Sequence, residues 1–88
     1  MKPTTHNLKK VEALLTAAGY KVRYEKGHFQ SGYCIVEQTN IIVINRFLDT
    51  EGRLNSLIDM LRQIELPTEP LDDKQRKLLS QLQSDPTT

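Results

Sequence analysis

Gly32-Tyr33-Cys34-Ile35-Val36-Glu37-Gln38-Thr39-Asn40-Ile41-Ile42-Val43-Ile44-Asn45 is the stretch that decides the fold. β-Branched and aromatic residues flank a short polar connection, Gln38-Thr39-Asn40, and this pattern predicts two strands, Tyr33 to Glu37 and Ile41 to Asn45, joined as an antiparallel hairpin. Ile41 to Ile44 is apolar without alternation. A strand of that kind has no wet face, so it belongs at the centre of a sheet or against another copy of the chain.

Working outward toward the amino end, Lys26-Gly27-His28-Phe29-Gln30-Ser31 reads as a loop, and Tyr20 to Glu25 alternates Tyr20, Val22 and Tyr24 with Lys21, Arg23 and Glu25. That period of two predicts a half-buried first strand. Before it, Leu8, Val11, Leu15 and Ala18 recur every three or four residues with Leu14 beside them, the spacing of an amphipathic helix. Thr4 or Thr5 suits its amino-terminal cap and Gly19 its left-handed end.

Toward the carboxyl end, Asp49 or Thr50 caps a second helix whose stripe is Leu54, Leu57, Ile58, Leu61 and Ile64, with Pro67 just beyond it. Leu66 to Pro70 is a stiff connector, and Leu71 to Gln83 forms a third helix with Leu71, Leu78, Leu79 and Leu82 as its apolar contacts. The expected fold class is therefore α+β: a small, mainly antiparallel three-stranded sheet with helices packed on one face, in the order α-β-β-β-α-α. Residues 1–66 form the core domain, 67–83 the connector and a helix packed on or near it, and 84–88 a frayed tail.

The chain has 88 residues, enough for one modest core, and its 38% hydrophobic and 26% charged residues place it among globular chains, with no apolar run of membrane-spanning length. The amino terminus shows no signal-peptide pattern, and a lone cysteine fits a reducing compartment, so the expected location is cytoplasmic. Net charge is only +1, but residues 1–46 carry +4 and residues 47–88 carry −3.

Each candidate for chemistry has a plainer competing role. His28 beside Cys34 invites comparison with a base and a nucleophile, yet nothing in the sequence identifies a third, orienting group, and cysteine most often packs in a core. We therefore expect Cys34 to be a packing residue. Two histidines and one cysteine in unrelated segments form no zinc pattern, and no cofactor or metal is expected. Lys9, Lys10, Lys21, Arg23 and Lys26, with Tyr20, Tyr24 and Phe29 near them, make a candidate basic patch for nucleic acid, but an alternating strand turns the tyrosines away from the cations. Asn45, Arg46 and Arg53 bracket the entry to the second helix, where they can either tie down the turning backbone or bind. Together with His28, Phe29 and Cys34 they form the candidate interaction or ligand surface.

The run Lys21 to Leu61, with Ser31-Gly32-Tyr33-Cys34, Ile42-Val43-Ile44-Asn45-Arg46 and Glu51-Gly52-Arg53-Leu54, resembles a group of short uncharacterised bacterial proteins, a resemblance that implies no activity. More distantly, the strand-strand-helix segment is similar to the one that precedes the active helix of the ImmA/IrrE family of zinc peptidases. Where that family places Leu-Ala-His-Glu-Leu-Gly-His, this chain has Leu57-Ile58-Asp59-Met60-Leu61-Arg62-Gln63. Asp59 and Gln63 stand for the two zinc-binding histidines and Met60 for the glutamate, and a methionine cannot accept a proton from water. The resemblance thus implies a shared scaffold without peptidase activity. The expectation is a small non-enzymatic interaction or regulatory module whose partner is a protein or a second copy, without a membrane role. Nucleic-acid binding through the basic half is the alternative, and a thiol- or metal-dependent enzyme using Cys34 and His28 the next.

Overall fold

A computed structural model describes residues 1–27 and 31–84. Thr5–Ala17 forms helix α1, and Leu8, Val11, Leu14 and Leu15 are buried along one stripe of it. Thr4 Oγ1 caps it by accepting from the Asn7 N–H at 3.1 Å. At the other end Gly19 sits at φ +94°, the Gly19 N–H donates to Thr16 O and the Tyr20 N–H to Leu15 O, which closes the last turn and frees Tyr20 to start extended chain.

Three strands follow: β1 (Lys21–Glu25), β2 (Gly32–Val36) and β3 (Thr39–Asn45), in the spatial order β1-β3-β2. β2 and β3 pair antiparallel, but β1 and β3 pair parallel, with Lys21 opposite Ile41 and Glu25 opposite Asn45. The sheet is mixed, which corrects the expectation of a mainly antiparallel one. The physical reason lies in β3: it meets its need for cover by inserting between the two earlier strands, so β1 and β2 flank it and do not pair with each other. The hairpin turn is also tighter than expected. Glu37 and Gln38 alone form it, at φ +49° and +66°, so Thr39 and Asn40 join β3. Two left-handed residues match the right-handed twist of the flanking strands.

Asp49 Oδ1 accepts from the Gly52 N–H at 2.8 Å and begins α2 (Thr50–Gln63), which buries Leu54, Leu57, Met60 and Leu61. Helix α3 (Asp73–Ser84) starts later than Leu71 because Asp72 caps it: Asp72 Oδ1 accepts from the Gln75 N–H at 2.8 Å, and Gln75 Oε1 accepts from the Asp72 N–H at 3.2 Å. Leu71, Leu79 and Leu82 enter the same core as α1, α2 and the sheet. Arg62 Nε donates to Leu82 O at 3.1 Å and Gln83 Nε2 to Leu61 O at 2.8 Å, so each helix satisfies a carbonyl near the end of the other.

Ile42 and Ile44 are fully buried beneath the helices, and the half-buried Val22 and Tyr24 of β1 share their face. The opposite face carries Lys21 and Arg23 from β1, Ile41 and Val43 from β3, and Cys34 and Val36 from β2. Among the described residues no polar or charged side chain is buried, and no helix is long and apolar enough to cross a membrane.

Candidate functional site

Asn45 ends β3 and gathers the chain around it. Its N–H donates to Ser31 Oγ at 3.0 Å, its Nδ2 to Gly27 O at 3.0 Å, and its Oδ1 accepts from the Phe47 N–H at 3.0 Å. One residue thereby holds Gly27 through its side chain and Ser31 through its backbone N–H, beside the turn that leads into α2. Arg53, on the first turns of α2, donates from Nε to Leu48 O and from a terminal nitrogen to Arg46 O, both at 2.9 Å. Its guanidinium carbon lies 4.9 Å from the centre of the Tyr24 ring. The Tyr24 hydroxyl donates to the Glu12 carboxylate of α1. Burial, first, and then the Glu12 hydrogen bond and charge push the Tyr24 hydroxyl well above its ordinary pKa, while Arg53 pulls the other way.

Asn45 and Arg53 are thus brought together, and their side chains bond the backbone of Gly27, Arg46, Phe47 and Leu48, which makes the cluster a fastening between β1, β3, α1 and α2. Arg46 is exposed at its rim. His28 and Phe29 lie outside the described residues. Cys34 is exposed, which corrects the expectation of a packed thiol. It sits on an edge strand, on the face turned away from the helices, where none of the described residues buries it.

The basic residues do not form one surface. Lys21 and Arg23 project from the outer face of β1, where Arg23 pairs with Glu25 at 2.8 Å, while Lys9 and Lys10 belong to α1 on the other side of the sheet. Lys10 faces a groove shared with Asp72, Lys74 and Lys77 of the α3 region. Tyr20 is buried and Tyr24 half-buried on the helix side, away from Lys21 and Arg23, and Lys26 is exposed after β1.

The most distinctive surface is one that the sequence reading treated as scaffold. β2 is an edge strand, and Tyr33, Ile35 and Val36 are 40%, 62% and 50% exposed. Its open backbone can be assigned. Val36 and Thr39 flank a two-residue turn and form a hydrogen-bonded pair, so by alternation Cys34 and Gly32 also turn their N–H and C=O toward β3. Tyr33 and Ile35 then turn theirs to the outside. β3 obeys the same parity at its end, where the Asn45 N–H addresses Ser31 on the β2 side and the Arg46 N–H addresses Glu25 O of β1.

Beside this edge, on the helix side, runs a groove of about 430 Å³ between Gly32 and Tyr33 of β2 and Ser56, Asp59, Met60, Gln63 and Ile64 of α2. Asp59, Met60 and Gln63 of α2 line one face of it. Tyr33 is anchored at its wall: its hydroxyl donates to Asn40 Oδ1 at 2.9 Å, and its ring lies 5.8 Å from that of Tyr20. The signal available in the sequence was the absence of charge from Gly32 to Val36, in contrast to Lys21, Arg23 and Glu25 on β1. Comparison with protein-family models, curated proteins and solved structures finds no match to this chain.

Proposed function

We propose that the chain is a non-enzymatic protein-interaction module that takes up an extended polypeptide segment along the open edge of β2. The observation that carries this reading is the difference between the two edges of the sheet. β1 bears Lys21, Arg23 and Glu25, the charged side chains that keep an edge from pairing, whereas β2 bears only Tyr33, Cys34, Ile35 and Val36 beyond its glycine. An added strand would receive the outward N–H and C=O groups of Tyr33 and Ile35, and its alternate side chains would fall over the groove beside α2. Main-chain bonds supply the attachment and the groove supplies the preference: an uncharged, β-branched or aromatic residue against Tyr33 and Met60, with Asp59 and Gln63 within reach of a neighbouring polar group.

Selection of displayed nonapeptides against the protein, with counter-selection on Ile35→Lys, tests the reading. It expects enriched peptides with alternating apolar residues that lose binding to Ile35→Lys by at least roughly tenfold. Enrichment of nothing over the variant would overturn it.

A further inference from the structure

Resting on the strand-uptake reading, we propose that the segment β2 accepts is β2 of a second copy of this chain, antiparallel, in the register that sets Cys34 opposite Cys34 of the partner copy. Three features of the chain meet in that register. First, Tyr33 and Ile35 own the outward backbone groups, so a twofold axis at Cys34 places Tyr33 opposite the partner copy's Ile35 and each pair exchanges both of its hydrogen bonds. The same patch serves both sides, as a twofold interface requires.

Second, the strand carries both a knob and the wall of a hole. Tyr33 and Ile35 project from the helix-bearing face, because Tyr33 lies opposite the fully buried Ile42. The partner copy's Ile35 therefore lands beside Tyr33 at the mouth of the groove formed with Met60 and Ile64, and the reverse holds across the axis. The helices do not collide: α2 packs on β3, and the two β3 strands stand three strand spacings apart, about 14 Å, against a usual interhelix distance of about 10 Å.

Third, the charges permit it. From Gly32 to Val36 no charged residue faces another, whereas pairing two β1 edges about Arg23 would oppose Arg23 to itself. The side-chain area left open by Tyr33, Ile35 and Val36 is on the order of 300 Å² per copy, below the ~800 Å² per partner of a standard interface. Four backbone bonds and the groove walls supplement it, which makes the dimer a weak, reversible one.

Sedimentation equilibrium from about 5 μM to 1 mM, together with thiol oxidation by diamide, tests the proposal. The Cys34–Cys34 pair would be a non-hydrogen-bonded one with Cα atoms about 4.5 Å apart, within the range a disulfide spans. Diamide takes up the two electrons and two protons as the Sγ–Sγ bond forms. The expected result is a monomer–dimer equilibrium and a covalent dimer that forms faster in native protein than in urea-unfolded chain at the same concentration, both lost in Ile35→Lys. Oxidation of the wild-type protein needs no variant, so it decides the question even if Ile35→Lys folds poorly. A monomer at 1 mM with native cross-linking no faster than unfolded overturns the second copy as occupant, and if displayed peptides still bind at β2, strand uptake itself stands. A dimer that survives Ile35→Lys, or forms without native cross-linking, overturns the interface.

Discussion

At the scale of single residues, Asn45, Arg53 and Tyr24 hold the fold, and Tyr33, Ile35 and Val36 are left open. Tyr24 shows the first half. Its hydroxyl is half-buried and bonded to Glu12, and burial and Glu12 together raise its pKa above the ordinary value of 10.0. A folded value above the unfolded one favours the neutral form in the fold, so this contribution is complete below pH 10 and is lost as pH climbs from there through the raised folded value. Tyr24→Phe is expected to lower stability near neutral pH by about 1–2 kcal/mol, because a hydrogen bond to a carboxylate disappears. The gap between the two proteins should close as denaturation midpoints are followed from pH 8 to pH 11, and a constant gap would contradict the assignment. Tyr20, whose hydroxyl is also raised by burial and by Tyr33, is common to both proteins and cancels. Asn45 and Arg53 were legible as a tie at the entry to α2, because an asparagine at the end of an apolar strand has an obvious use for its side chain. Cys34 was misread because cysteine is usually buried, a preference that says nothing about which strand becomes an edge.

At the scale of elements, the helices and β1 were legible from period and caps and β2 and β3 from their β-branched and aromatic content, while strand neighbours were not. The four-residue apolar run Ile41–Ile44 called for a strand at the centre of a sheet or against another copy of the chain, and β3 is central. Placing a third strand beside β2 is equally compatible with the alternation in Tyr20–Glu25, since a half-buried strand alternates whether it runs parallel or antiparallel. The decision rests on where β3 gains cover on both sides, which no local pattern encodes. The turn is a second case. Glu37 and Gln38 hold positive φ without the glycine or asparagine that favours it, so the strands impose the turn against local preference. The double substitution Glu37→Asn with Gln38→Gly is expected to stabilise the protein by about 1–2 kcal/mol and raise the thermal midpoint by roughly 5 °C or more. An unchanged or lower midpoint in calorimetry would show that the turn is not strained. α3, expected only on or near the core, belongs to it through Leu71, Leu79 and Leu82 and the reciprocal bonds of Arg62 and Gln83.

At the scale of the whole molecule, the three helices and one face of the sheet close a core, and the two sheet edges are left with opposite character. One is charged; the other is apolar and carries free backbone groups at Tyr33 and Ile35 beside a groove. That asymmetry was written in the sequence as the uncharged run from Gly32 to Val36, but its meaning depended on β2 being outermost, which only the topology supplies. The central claim is that the outer edge of β2 is the working surface and that a second copy of the chain occupies it. Residue-resolved amide hydrogen exchange across a concentration series addresses it most directly, because in the isolated chain the Tyr33 and Ile35 amides face outward and the Cys34 amide faces β3. The account predicts that exchange at Tyr33 and Ile35 slows as concentration rises while Cys34 stays constant; equally fast exchange at Tyr33 and Ile35 at every concentration would contradict it.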